Sequence, residues 1–337
     1  MPAVTTDRAY RQTLSAALAY RKPGIEDLVS NSNVIWNTIR ENGNYRSFEG
    51  PEIRHHLQID KQSAQWMTGY DKLKNPPIEL FNDAVFMPST VVVPISFSGT
   101  ELRANTGNRL IPLMSSYIDA AENSMRDELE GSMVGDGTGQ NGRSLVGLGA
   151  AVPIVTNTGT YGGISRSYTI WQTSTFDAQT FATDIGTQVN SVTIRPMLTR
   201  ILGKRSRGTR AADLLIMSQE HFEALDQSLV AHQRITNERL GRLGFSNYEV
   251  LFGGKRATAV LASGLNSSMP ANTTYGLESR SLYLYYRESL NFDMLFDGDG
   301  AMPINQDAVA QYLGWEGQFV LGNPLFSWRL IDSNPAA

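Results

Sequence analysis

A glycine-rich run in the middle of the chain has the spacing of a phosphate-binding loop. Residues 137–142 read Gly-Thr-Gly-Gln-Asn-Gly and fit the pattern G-x-G-x-x-G. A dinucleotide-binding loop follows a strand and opens a helix, so that the pyrophosphate meets the helix N-terminus. Here the run follows a predicted helix and lies outside any β-α-β unit. The sequence therefore favours a loop that caps the C-terminus of a helix.

Residues 297–300, with the sequence Asp-Gly-Asp-Gly, have the composition of the start of a calcium-binding loop. An EF-hand needs a third oxygen ligand at its fifth position and a glutamate at its twelfth. Those two positions hold Ala301 and Ala308 in this chain. The sequence therefore predicts a turn at 297–300 and no cation site.

The histidines have the wrong spacing for a shared metal ion. His55 and His56 are adjacent in a predicted strand, so their side chains point to opposite faces. His221 and His232 lie about three helical turns apart, which is too far for one ion. The chain has no cysteine, which excludes disulfides, thiolate metal sites and a cysteine nucleophile. We expect no metal, no cofactor and no enzymatic activity; a soluble hydrolase whose residues are dispersed in sequence is the alternative.

A basic run at 204–210 is the one charge cluster that could bind a ligand. It contains Lys204, Arg205, Arg207 and Arg210. Such a run contacts phosphate or pairs with acidic neighbours. The whole chain has 29 Lys and Arg against 33 Asp and Glu, which argues against a dedicated nucleic-acid binder. We expect at most a weak contact with DNA.

The composition describes a chain that can fill a core. The length of 337 residues fits two domains or one long domain with insertions, and 41% of the residues are hydrophobic. Only 18% are charged, below the ~25% that is usual in soluble chains. No window approaches the ~20 consecutive apolar residues of a membrane-spanning helix. Residues 1–12 have no apolar core after a basic start, so we expect no signal peptide.

The clearest predicted element is a long amphipathic helix over residues 110–133, in which apolar residues recur every three or four positions. Pro112 falls in its first turn, where the missing N–H is tolerated, and the glycines of 135–137 end it. Before it, residues 89–99 predict a strand. Pro94 inside that strand indicates an edge position or a bulge.

Residues 52–70 predict a two-stranded hairpin. Apolar and polar residues alternate over 52–59 and again over 64–70, where Trp66 and Tyr70 share one face. The polar residues 60–63 supply the turn. Because a lone hairpin is marginal in water, we expect this one to rest on another surface.

The rest of the chain is less regular. Between 144 and 176 only Arg166 is charged, which suits an irregular loop or short strands packed in a crowded place. A second helix is predicted over 177–202, bent at Pro196. The last third predicts strands at 281–286, 291–296, 309–315, 318–321 and 327–331.

Four groups of residues occur in a fixed order over nearly the whole chain. The first is 50–57 running into 65–71 (QWMTGYD), and the second is the long helix into 135–139, then 145–148. The third is 161–166 (YGGISR) with Trp171, and the fourth is 305–308, 315–317 and Asn323. In this order they resemble the motifs of tailed-bacteriophage major capsid proteins. Ser165 and Thr173 depart from the usual G-G-I-[DN]-R and W-x-N forms.

The resemblance implies an α+β protein with the phage major capsid fold. That fold has an N-terminal arm, an extended hairpin named the E-loop, a peripheral domain with a long spine helix, and an axial domain at the symmetry axes. The predicted bounds are 1–48 for the arm, 49–75 for the E-loop, 76–145 with 300–337 for the peripheral domain, and 146–299 for the axial domain.

The function that the resemblance implies is structural. Copies of the chain would form pentamers and hexamers of an icosahedral head shell around double-stranded DNA, assembled in the bacterial cytoplasm and found in the virion. A separate scaffolding protein, a portal and decoration proteins would be its partners, with no membrane. An encapsulin-like compartment shell, which encloses enzymes, is an alternative.

We expect four residues to contact neighbouring subunits: Lys61, Trp66, Tyr70 and Trp171. Large rigid aromatic side chains are enriched at such interfaces. Some capsid relatives join subunits through a Lys–Asn isopeptide bond, and Lys61 lies at the predicted hairpin tip. No motif around Lys61 or Asn323 matches such a crosslink.

Overall fold

The computed structural model describes residues 33–58, 64–72, 80–98, 100, 110–229, 247–252, 254–262, 269–295 and 308–335. The helices are α1 (Val34–Glu41), α2 (Leu110–Val134), α3 (Ile194–Lys204) and α4 (Gln219–Leu229). Single-turn segments lie at Gly139–Gly142, Leu148–Ala151 and Ala178–Phe181, and 3-10 turns at Thr169–Trp171, Ser279–Ser281 and Pro324–Phe326. Lys61, His232, 297–300 and most of the predicted arm lie outside the described residues.

The strands are β1 (Tyr45–Ser47), β2 (Ile53–Gln58), β3 (Phe81–Phe86), β4 (Ser89–Ser98), β5 (Thr160–Tyr161), β6 (Ile164–Ser165), β7 (Ser174–Asp177), β8 (Leu214–Met217), β9 (Asn247–Phe252), β10 (Lys255–Leu261), β11 (Thr273–Leu277), β12 (Leu282–Met294), β13 (Ala308–Leu321) and β14 (Trp328–Ile331). They form a four-stranded sheet in the order β1-β12-β13-β4 and a six-stranded sheet in the order β7-β14-β11-β8-β10-β9. Two small pairs, β2-β3 and β5-β6, complete the set.

The predicted long helix and the strand before it are confirmed. Helix α2 has Pro112 in its first turn and ends before Gly135. Its apolar stripe is buried at Met125, Leu129 and Met133. Strand β4 lies at the edge of the four-stranded sheet, where the missing N–H of Pro94 is tolerated.

The described end of the predicted arm belongs to the body of the subunit. Asn33 caps α1, its Oδ1 accepting the N–H groups of Ile35 and Trp36. The Trp36 ring lies 5.4 Å from Trp315 and 6.1 Å from Phe292, so α1 packs on the four-stranded sheet. Strand β1 then pairs in parallel with β12. Residues 33–47 therefore pack on the body of this chain, within the predicted arm of residues 1–48.

The structure contradicts the predicted second strand of the hairpin, at residues 64–70. Strand β2 pairs with β3, from Ile53 opposite Phe86 to Gln58 opposite Phe81, and the described segment 64–72 holds no strand. The reason is packing, since Ala84 and Phe86 are buried next to Gly162, which is distant in sequence. The second of the paired strands therefore lies at Phe81–Phe86.

The predicted second helix is also shorter than expected. Asn190 Oδ1 accepts the N–H groups of Val192 and Thr193, which makes a local turn before α3. Helix α3 starts at Ile194, so Pro196 lies in its first turn and does not bend it.

The C-terminal strands divide between the two sheets. The strands predicted at 281–286 and 291–296 are one strand, β12, with an irregular register between Tyr286 and Asn291. Strand β12 joins the sheet of β4, and β14 joins the six-stranded sheet between β7 and β11. Strands β12 and β13, on either side of the boundary predicted at residue 300, pair with each other over long antiparallel runs.

Candidate functional site

The segment 64–72 between the paired strands presents uncovered aromatic side chains. Trp66 is 103% exposed and Tyr70 is 105% exposed, as in an extended peptide. The N–H of Thr68 donates to Asp71 Oδ2 at 2.9 Å, and the N–H of Asp71 donates to the Thr68 carbonyl at 2.9 Å. These two bonds close a turn that holds the exposed rings. We name residues 64–72 the hairpin tip.

The base of the hairpin is packed on the four-stranded sheet. The His55 ring lies 4.9 Å from Tyr283, and its Nδ1 is 3.2 Å from the Tyr285 hydroxyl. Burial, together with the charge of Arg46, lowers the pKa of His55. A Cβ at Gly322 would lie 2.6 Å from the His55 ring, so only glycine fits there. The strand is therefore anchored at its start.

The second strand of the hairpin is anchored by a glycine turn. The N–H of Val85 donates to the Gly162 carbonyl at 2.9 Å, and Gly162 has a φ of 57°. A Cβ at Gly162 would lie 2.6 Å from the Phe86 ring. Phe86 in turn packs edge-on against Tyr161 at 5.0 Å. The hairpin thus has a fixed base and a tip whose Trp66 and Tyr70 rings are fully exposed.

Trp171, which the sequence predicts to contact a neighbouring subunit, is buried inside its own subunit. Trp171 is 2% exposed, and its Nε1 donates to the Tyr161 carbonyl at 2.9 Å. The Tyr161 hydroxyl accepts the N–H of Leu321 at 2.9 Å, and burial raises the pKa of Tyr161. Arg166 donates to the carbonyls of Ala150 and Ala151. The uncharged region therefore uses these side chains inside its own fold.

The basic side chains of the run at 204–210 differ in their contacts. Arg210 makes two 2.7 Å hydrogen bonds with the buried Glu278, which favours the acidic-neighbour alternative. Lys204 Nζ lies 4.8 Å from the Phe181 ring, and burial lowers the pKa of Arg205. Arg207 is exposed, and within the part of the chain that the structure describes its guanidinium has no ion-pair partner.

The glycine-rich run follows α2, as predicted. Asp136 Oδ1 accepts the N–H and the hydroxyl of Thr138, at 3.0 and 2.6 Å, which lowers the Asp136 pKa. Gln140 and Asn141 adopt left-handed φ angles of 51° and 61°. These features form a tight loop at the C-terminal end of a helix, and no strand leads into it.

Metal and membrane signals are absent from the described residues. Among them, no group of three or more His, Asp or Glu side chains could hold a metal ion. His221 is buried with Nδ1 2.8 Å from the Thr274 hydroxyl, and burial lowers its pKa to about 4. No helix within the described ranges has the length and hydropathy to span a bilayer.

A cleft of about 710 Å³ lies beside the hairpin base. It is bordered by the end of β2, by the turn at 207–210 and by residues 322–326. Backbone hydrogen bonds of 2.9 and 3.1 Å between Arg207 and Arg210 hold the turn. We name it the basal cleft.

Comparisons with solved structures identify the fold, while no family model and no curated protein matches the sequence. The chain is similar to a chain of the cyanophage A-1(L) capsid asymmetric unit, with a TM-score of 0.63 and 15% identity over 88% of this chain and 92% of that one. It is also similar to a chain of the native GTA particle capsid, with a TM-score of 0.55 and 10% identity over 88% and 89%. The chain therefore has the α+β fold of phage major capsid proteins.

Proposed function

We propose that this chain is a structural major capsid protein that self-assembles into the icosahedral head shell of a tailed phage. The observation that carries the proposal is the hairpin, whose base is packed and whose aromatic tip is fully exposed. Exposed aromatic clusters on a positioned element are typical of protein interfaces. In a monomer the Trp66 and Tyr70 rings stay in water and add no stability, whereas contact with a second copy can bury both.

The fold supports this proposal independently of the tip. The similar chains come from the capsid of cyanophage A-1(L) and the capsid of the native GTA particle. The sequence motifs in their order resemble the same class of protein. We propose the hairpin over residues 53–86 as the E-loop and α2 as the spine helix of the peripheral domain.

The remaining partners follow from the proposed role. Copies of the chain would form pentamers and hexamers, with a separate scaffolding protein, a portal and decoration proteins around them. The shell would enclose double-stranded DNA and assemble in the host cytoplasm. A net charge of −4 keeps its contact with DNA weak, so that the genome can be packed and released.

Assembly is tested by expressing the full chain and imaging the product by negative-stain electron microscopy, with the mass followed by analytical ultracentrifugation. We expect closed particles at high subunit concentration. A species that stays at 37.1 kDa under every assembly condition would overturn the proposal. Particles isolated from infected or induced cells should contain DNA, and particles filled with an enzyme cargo and no DNA would contradict the phage assignment.

A further inference from the structure

The basal cleft offers a mixed apolar and cationic surface. Leu57, Ile170 and Leu325 line it and are only partly buried, so each leaves apolar surface open to solvent. Phe326 forms part of its wall beneath the Arg210 guanidinium, 4.8 Å from the ring. Such a surface suits an aromatic side chain, which packs on apolar groups and against the face of a guanidinium.

The charge of the cleft comes from one side chain. Arg210 is neutralised by Glu278, and His56 lies against Asp83 on the neighbouring strand. Arg207 is the remaining cation of the lining, exposed and without an ion-pair partner among the described residues. Among the described residues, no Asp or Glu lines the cleft. An occupant that fits therefore carries an aromatic group and a carboxylate.

The hairpin tip carries these two groups. Trp66 and Tyr70 are fully exposed, and Asp71 is exposed next to Tyr70. One Asp71 oxygen accepts the Thr68 N–H, which orients the carboxylate and leaves the other oxygen available. Since both rings are as exposed as in a free peptide, the tip does not occupy the cleft of its own chain.

We propose that the hairpin tip of one copy occupies the basal cleft of a second copy, with Asp71 paired to Arg207 and an aromatic ring on the apolar wall. The inference rests on the proposed self-assembly and specifies which two surfaces meet. A contact between two different surfaces of identical chains is heterologous, and its repetition gives a ring where the rotation between neighbouring copies closes. Pentamers and hexamers are rings of this type.

The first experiment exchanges the two charges in the full chain. Asp71→Arg and Arg207→Asp each place like charges across the contact, and we expect each to reduce the particle yield about tenfold or more. The double variant Asp71→Arg/Arg207→Asp should recover most of the yield. Glu288→Arg is the matched control, because Glu288 is exposed and lies outside the tip and the cleft.

The second experiment uses the absence of native cysteine. Subunits with Asp71→Cys alone and Arg207→Cys alone are mixed, assembled and treated with a short bismaleimide. We expect a crosslinked dimer from the mixture and none from either variant alone. A dimer that forms equally with Glu288→Cys in place of Arg207→Cys would contradict the contact.

The outcomes separate this inference from the proposed function. Particles that form in normal yield from both single charge variants, or no recovery in the double variant, would overturn the contact and leave the capsid role standing. A wild-type chain that stays monomeric would overturn both. If Arg207→Asp lowers the DNA content of particles without lowering their yield, the cleft binds the nucleic acid and the proposed contact is wrong.

Discussion

The hairpin tip and the segment 161–171 have similar aromatic composition and opposite environments. In the segment, Tyr161 and Trp171 are buried and joined by a hydrogen bond. In the tip, Trp66 and Tyr70 have no cover at all. The sequence predicted an inter-subunit role for aromatic residues of both regions. The difference teaches that aromatic composition alone does not separate an interface residue from a core residue, since packing with residues distant in sequence decides which ring is buried.

Trp171→Ala should give the largest loss of subunit stability. It removes a fully buried ring and leaves the Tyr161 carbonyl without its donor, so we expect a loss of about 3–5 kcal/mol in the free energy of unfolding. Urea unfolding followed by near-ultraviolet circular dichroism measures it. A change below about 1 kcal/mol would contradict the assignment of Trp171 to the core.

Acid should weaken the body of the subunit through His221. The unfolded state takes up a proton near the ordinary pKa of 6.5, whereas burial lowers the folded pKa to about 4. Stability is therefore full above pH 6.5 and falls as the pH drops toward 4, by roughly 3 kcal/mol in total. His221 faces Glu220 and Asp332, which oppose the shift, and the hydroxyl of Thr274.

The acid effect is measured by urea unfolding between pH 7.5 and pH 4.5 in wild type and in His221→Gln. We expect a shallower loss of stability with falling pH in the variant, and His56→Gln is the matched surface control. An unchanged pH slope in His221→Gln would show that other groups carry the acid response.

Tyr161→Phe should have an intermediate effect on stability. The substitution keeps the ring against Phe86 and Trp171 and removes the hydroxyl that accepts the Leu321 N–H. A buried N–H without a partner costs about 1–3 kcal/mol. Thermal and urea unfolding should show this loss without loss of compactness, and a neutral result would mean that another acceptor replaces the hydroxyl.

Trp66→Ala should change subunit stability least. An exposed ring contributes within about 0.5 kcal/mol, so the unfolding curve should coincide with wild type. Particle yield should nevertheless fall, because the ring is proposed to be buried against a second copy. An unfolded monomer would contradict the tip assignment, and normal particle yield would contradict its role in assembly.

Periodicity and the positions of prolines predicted the elements whose formation depends on residues close together in the chain. Helix α2 and strand β4 follow from periodicity and from the positions of Pro112 and Pro94. The hairpin partner could not be predicted in this way, because residues 64–70 alternate as a strand does. The choice of β3 depends on a contact between Phe86 and Tyr161, far apart in sequence. Alternation alone carries no information about such contacts.

The candidate site was predicted in part for the same reason. The exposure of Trp66 and Tyr70 agrees with the expected surface role, although their contact with a second copy stays a prediction. The partner of Arg210 is Glu278, which the sequence places 68 residues away. The sequence near Arg210 or Trp171 predicts neither this ion pair nor the burial of the ring. Both depend on how β11, β13 and the turns between strands pack together.

The two edge strands of the four-stranded sheet affect how readily the chain aggregates. One edge is β1, with only three residues, and the other is the ten-residue β4. A long apolar edge strand is a template on which further chains add without limit. Pro94 interrupts that template near its middle by removing one backbone donor. We expect this proline to disfavour edge-to-edge addition of further chains at the concentration that a newly made subunit meets in a cell.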